Sequence, residues 1–131
     1  MPEKDYGFRA LIDKLNVKEG ARVLVLGIND ADLLAEIGAR TPDCSADATK
    51  TACDVILLSV DSAEDLRRIE PCRAQLAPAG GLWVVYPKGR KHITEAQVRA
   101  AGLATGMVDN KVISFSPTHT GLRFVIRTRD R

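Results

Sequence analysis

At 131 residues the chain has room for a single domain, 1–131, and not for two. Hydrophobic residues supply 45% and charged residues 27%, which excludes a disordered chain and predicts a core that needs no metal or disulfide. Net charge is only +2, but it is unevenly spread: residues 1–75 hold 10 basic and 14 acidic side chains (−4), and residues 76–131 hold 9 basic and 3 acidic (+6). An anionic partner is therefore expected at the C-terminal half, if anywhere.

No apolar run approaches the ~20 residues of a membrane span, and the start, Met1 to Asp5, lacks the basic-then-apolar order of a secretory signal. A cytoplasmic protein with no membrane partner is expected. Cys44, Cys53 and Cys72 form no C-x-x-C pair, and neither His92 nor His119 stands at ligand spacing from a cysteine. That predicts reduced thiols and no metal site.

In chain order, Phe8, Leu11, Ile12 and Leu15 share one helical face. Residues 21–27 (ARVLVLG) read as a strand covered on both faces, as parallel sheets require. A helix follows, with Asn29 as cap, Asp32 in the first turn and Ile28 stapling onto Leu33, and it ends near Arg40 before Pro42. Residues 41–52 carry too weak a pattern to assign: a short strand, a single helical turn and a loop all fit. Residues 54–60 (DVILLSV) are a second buried strand. Ser62 caps the next helix, with Leu66 and Ile69 inward and a kink or break at Pro71. Residues 78–81 (PAGG) read as a turn, and 82–86 (LWVVY) as a third strand ended by Pro87. Thr94 to Gln97 match a capping box, with Ile93 and Val98 as the staple, so a helix runs from Glu95 to about Gly102. Residues 111–115 and 122–128 are the last strands. Their short connection, 116–121, leaves no room for a crossover and makes them antiparallel.

Strands alternating with helices predict an α/β three-layer sandwich, mostly parallel, with an antiparallel C-terminal strand. A receiver-like or flavodoxin-like chain would end on a helix. The order resembles a compact class I S-adenosylmethionine-dependent methyltransferase fold, which is Rossmann-like and has an antiparallel last strand. KLNVKEGARVLVLG (14–27), GGLWVVYPKG (80–89) and GMVDNKVISFSPTHTGLRFVIR (106–127), together with DVILL, resemble a small bacterial family of methyltransferase-like domains with no assigned function. That resemblance implies the fold and lends no activity. Where the family commonly has an aromatic residue in its last loop, this chain has His119.

In the methyltransferase fold the turn after the first strand is rich in glycine, because the backbone passes close to the cofactor. Here that turn is Gly27-Ile28-Asn29-Asp30, with a single glycine, and Asp30 and Asp32 place negative charge in the first helical turn. The acidic residue that should end the second strand and hold ribose hydroxyls has only Asp43 and Asp47 as candidates. Asp61 follows DVILLSV where a proline- and aromatic-rich catalytic motif would stand. No cofactor and no catalytic residue is assigned on this pattern. The expected function is a non-catalytic or vestigial methyltransferase-like domain acting by binding or assembly. The alternatives are a small-molecule methyltransferase with a divergent cofactor loop, and a weak nucleic-acid-binding module using the basic half.

The basic run 88–92 (KGRKH) has only Tyr86 nearby for stacking, so nucleic acid is not the favoured partner; self-association stays open. Ligands of open α/β sheets bind outside the carboxyl ends of the strands. This rule predicts a crevice lined by Gly27, Asn29, Asp61 and Lys88, with an Asp61–Lys88 ion pair inside it. The methyltransferase-like order, in which the penultimate strand is parallel to the others, implies that the 116–121 loop and His119 reach its edge.

Overall fold

The structure, a computed structural model, describes residues 10–131. The predicted helical face therefore appears without Phe8, which lies outside the described residues. What is seen of it is a single turn, α1 (Leu11–Lys14), with Ile12 and Leu15 buried and Leu11 half-buried.

Among the described residues six strands form one sheet: β1 (Val23–Leu26), β2 (Cys44–Ser45), β3 (Cys53–Ser59), β4 (Leu76–Pro87), β5 (Met107–Ser114) and β6 (His119–Ile126). Their spatial order is β2-β1-β3-β4-β6-β5. The first four are mutually parallel, and β6 runs antiparallel to both β4 and β5, so β5 points the same way as the parallel set. Every residue of β1 is buried, which is why its sequence shows no polar alternation.

Helices cover both faces. One face packs Leu24, Ile56, Leu58, Leu82, Val84 and Phe124 against α3 (Ile69–Gln75) and α4 (Glu95–Ala104), while the other packs Val23, Val25, Leu57 and Trp83 against α1 and α2 (Ala31–Arg40). Among the described residues no helix is long and apolar enough to cross a membrane.

Several local expectations change. The α2 cap is Asp30, whose carboxylate accepts the Leu33 N–H at 3.1 Å; Asn29 stands one residue outside. Ser62 makes no capping bond, and a 3-10 helix (Ala63–Arg68) runs into α3 without a break. Pro71 is tolerated because it falls in the first turn of α3, where its N–H would have no helical acceptor. Residues 78–81 are no turn. They lie inside β4, which begins at Leu76 and slips register against β3 between Cys53 and Val55. The capping box of α4 forms as its sequence predicts, Thr94 and Gln97 bonding reciprocally.

Residues 41–52 hold the two-residue β2, fixed by tertiary bonds. The Val23 N–H donates to the Asp43 carbonyl at 2.8 Å, and the buried Thr41 hydroxyl donates to the Ala21 carbonyl at 2.6 Å.

Candidate functional site

The alternation of side chains along a strand decides what gathers at the carboxyl rim. Gly27 continues the face of Val23 and Val25, Ser59 that of Val55 and Leu57, and Val85 that of Trp83. At this rim, Gly27, Ile28, Asn29, Asp30, Ser59, Val85, Phe115, Ser116 and His119 enclose a crevice of about 240 Å³.

Gly27 adopts φ +82°, and a Cβ there would stand 3.3 Å from the Ser59 Cβ. The turn thus needs glycine twice, for its dihedral and for the close approach to β3. Across the crevice lies the β5–β6 loop. The Ser116 hydroxyl accepts the N–H groups of Thr118 (3.2 Å) and His119 (3.1 Å) and knits the loop tight. Thr118 Oγ1 and His119 Nδ1 are bonded at 2.8 Å, which leaves Nε2 without a partner among the described residues. One imidazole nitrogen is therefore held by the loop, and the other is free to meet a ligand.

Asp61 and Lys88 follow adjacent parallel strands and lie at the same rim, but neither lines the crevice and they form no ion pair. The buried Val60 donates its N–H to the Val85 carbonyl, and beyond it the chain turns toward α4. There the Asp61 N–H is bound by the Asp65 carboxylate at 2.9 Å, and the Asp61 carbonyl meets His92 Nε2 at 3.0 Å. Lys88 stands two residues past Tyr86 and shares its face; its ammonium donates to the Ser114 hydroxyl at 2.8 Å. Of the five residues predicted for the crevice, Gly27, Asn29 and His119 converge, and Asp61 and Lys88 are drawn aside.

The two candidates for a ribose-holding carboxylate also lie elsewhere. Asp43 precedes β2 and sits at the opposite rim, ion-paired with Arg22 (3.2 Å) and Lys50. Lys50 first, then Arg22, hold its carboxyl below the usual range. Asp47 follows β2, but its carboxylate is taken up by the Thr49 N–H (2.9 Å) and hydroxyl (2.8 Å), which lower its pKa. Among the described residues Asp30 is the one carboxylate in the lining, and it already caps α2. The ring of Tyr86, the aromatic group nearest the basic run, is buried, with its hydroxyl 3.2 Å from Glu95.

Sequence reasoning places Ile28 and Asp30 in the turn after β1 and the loop from Ser116 at the rim, without naming them as lining, and it misses Ser59, Val85 and Phe115. Strand parity would have indicated Ser59 and Val85, and the short loop after β5 would have indicated Phe115.

No protein-family model matches the chain, and no curated protein matches it in sequence. Solved structures do match. A SAM-dependent methyltransferase from Aquifex aeolicus aligns at TM-score 0.69 and 13% identity, over 89% of this chain and 88% of that one. A TehB-like SAM-dependent methyltransferase from Corynebacterium glutamicum aligns at TM-score 0.61 and 14% identity, over 89% and 85%. Magnesium protoporphyrin IX methyltransferase from Synechocystis, solved with bound SAH, aligns at TM-score 0.65 and 10% identity, over 89% and 78%. At these identities the likeness is one of fold. The fold is that of the class I S-adenosylmethionine-dependent methyltransferases.

Proposed function

We propose that this chain is a methyltransferase-fold domain that acts by binding or assembly and does not transfer a methyl group. The observation that carries this reading is the lining of the rim crevice. Its turn presents the side chains of Ile28 and Asn29, the one carboxylate of its described lining, Asp30, is committed to the Leu33 N–H, and neither Asp43 nor Asp47 reaches it. The residues present do not fit S-adenosylmethionine. Asp30 at the start of α2 also makes that helix end a poor seat for a ligand carboxylate, because the negative charge is already in place. At about 240 Å³ the crevice falls below the ~300–1,000 Å³ typical of small-molecule sites.

A second reading, a small-molecule methyltransferase with a divergent cofactor loop, has one observation in its favour. The Gly27 backbone keeps the positive φ and the close approach to β3 that a cofactor-binding turn uses. Calorimetric titration with S-adenosylmethionine and its demethylated product separates the two. The expected result is no binding in the micromolar range. A micromolar dissociation constant, with a matching rise in Tm by mass action, makes the methyltransferase reading the better one.

A further inference from the structure

A second hollow lies on the face covered by α1 and shares no residue with the rim crevice. Asp13, Lys14, Asn16, Trp83, Lys111 and Arg123 enclose about 220 Å³ there. Among the described residues its lining carries three cations and one carboxylate, and Asp13 is paired with Arg40 at 2.6 Å. The side chains of Lys14, Lys111 and Arg123 have no hydrogen-bond or ion-pair partner among the described residues.

The sheet itself places the two strand cations together. Arg123 on β6 is directly opposite Trp83 on β4 and Lys111 on β5, so the three make one row across the sheet. Like charges directly opposite each other destabilise an antiparallel pair. Lys111 also reaches this face only through an irregularity of the strand. Asp109 points to the α4 side, where its carboxylate binds Arg99 at 2.9 Å, and strict alternation would put Lys111 there too. The register shift between Asp109 and Lys111 inserts Asn110 and turns Lys111 toward Arg123. A bulge commonly serves to re-aim a side chain in this way.

The Arg123 guanidinium has a seat of its own: it lies over Gly81, where any Cβ would run into it. Burial first, and then the charge of Arg131, disfavour its cationic form. The fold thus places a half-buried guanidinium directly across the strand pair from a lysine, and among the described residues neither side chain has an acceptor. A doubly charged oxyanion would relieve both the repulsion and the unmet donors, through charge-assisted bonds to the guanidinium fork.

We propose that this hollow binds one phosphate group, free or carried by a small phosphorylated molecule, with Arg123 and Lys111 as the principal donors and Lys14 closing over it from α1. A nucleic-acid strand suits the hollow less well. Trp83 is fully buried, and its indole N–H is bonded to the Leu15 carbonyl at 3.0 Å, so among the described residues of the lining no aromatic face is open for a base to stack on.

The test is an NMR titration of the protein with sodium phosphate, against sodium chloride at equal ionic strength, following the amides of β5 and β6 and the arginine side-chain N–H groups. Phosphate should give saturable shifts centred on Lys111 and Arg123 that chloride does not. Arg123→Gln should weaken binding about tenfold or more, and Lys88→Gln should leave it unchanged. Lys111→Glu should abolish phosphate binding and raise Tm without phosphate, since it replaces repulsion by an ion pair; this keeps the proposal testable if Arg123→Gln fails to fold. Glycerol phosphate binding more tightly than inorganic phosphate identifies a phosphorylated molecule as the ligand, and equal or weaker binding identifies free phosphate. Equal shifts in chloride, or phosphate binding unaltered by Lys111→Glu, overturns the site. A short single-stranded oligonucleotide that displaces phosphate from these residues overturns the single-phosphate reading.

Discussion

The two faces of the sheet are built from the same strands and finished differently. Along β6, Leu122, Phe124 and Ile126 point to one face and lie buried beneath α4, whereas Gly121, Arg123 and Val125 point to the other. The first face is closed from β1 to β6 by α3, α4 and the 3-10 helix before them. The second is closed over β1, β3 and Trp83 by α1 and α2 and ends in a charged row beyond β4. The rim crevice and the basic hollow both lie on the second face. Apolar area out of water supplies stability on one side, and on the other the cover given by the described residues leaves room for ligands.

If that division is right, truncation on the closed face should cost most. Phe124 is fully buried, and its ring lies against Gly102 of α4. Phe124→Ala should lower unfolding free energy by about 3–5 kcal/mol, from lost burial plus the cavity left behind. Denaturant melting with an unchanged m-value measures it. A loss under about 1 kcal/mol would show that the closed face is not where the stability resides.

Two helical glycines set the same contrast at smaller scale. A Cβ at Gly102 in α4 would run into the Phe124 ring, whereas a Cβ at Gly38 in α2 would meet nothing within 4 Å. Gly102→Ala should therefore cost about 1–3 kcal/mol through overpacking. Gly38→Ala should add about 0.5–1 kcal/mol, because alanine is the better helix former where space is open. Opposite signs for the same substitution would tie the asymmetry to packing; equal signs would dissolve it.

Much of this architecture could be read from the residues, and the gaps have physical causes. VLVL and DVILLSV reveal β1 and β3 because burial on both faces removes polar alternation, and α4 is marked at its start by a local capping box. By contrast β2 is two residues, held in place where the Val23 N–H donates to the Asp43 carbonyl and the Thr41 hydroxyl donates to the Ala21 carbonyl, so its pattern is tertiary and not local. Pro78 to Gly81 carry turn chemistry yet lie within β4, where the bare Gly81 gives room to the Arg123 side chain. Position at a strand's carboxyl end specifies the rim but not the face. That is why Gly27, Asn29 and His119 meet while Asp61 and Lys88 turn away. The Lys111–Arg123 row was hidden for a related reason: a bulge at Asn110 reverses the alternation that a periodic reading relies on.

The smallest effect, absent at neutral pH, should appear in alkali and should arise on the closed face. Cys72 and Tyr86 both belong to that cluster. Burial pushes the Cys72 thiol up to about 11 from an ordinary 9.0. Burial, and then Glu95, push the Tyr86 phenol up to about 12 from 10.0. Both groups are neutral when protonated, and the fold disfavours their anions. The unfolded chain ionises first, so the fold's advantage is whole below pH 9 and declines as pH rises through about 9–11 for Cys72 and about 10–12 for Tyr86. Tm measured from pH 8 to 12 should fall along this window. Cys72→Ala should flatten its lower part and Tyr86→Phe its upper part, each measured against its own neutral-pH value. Should both variants keep the full alkaline slope, the loss must come from elsewhere, and the closed face would not be the pH-sensitive one.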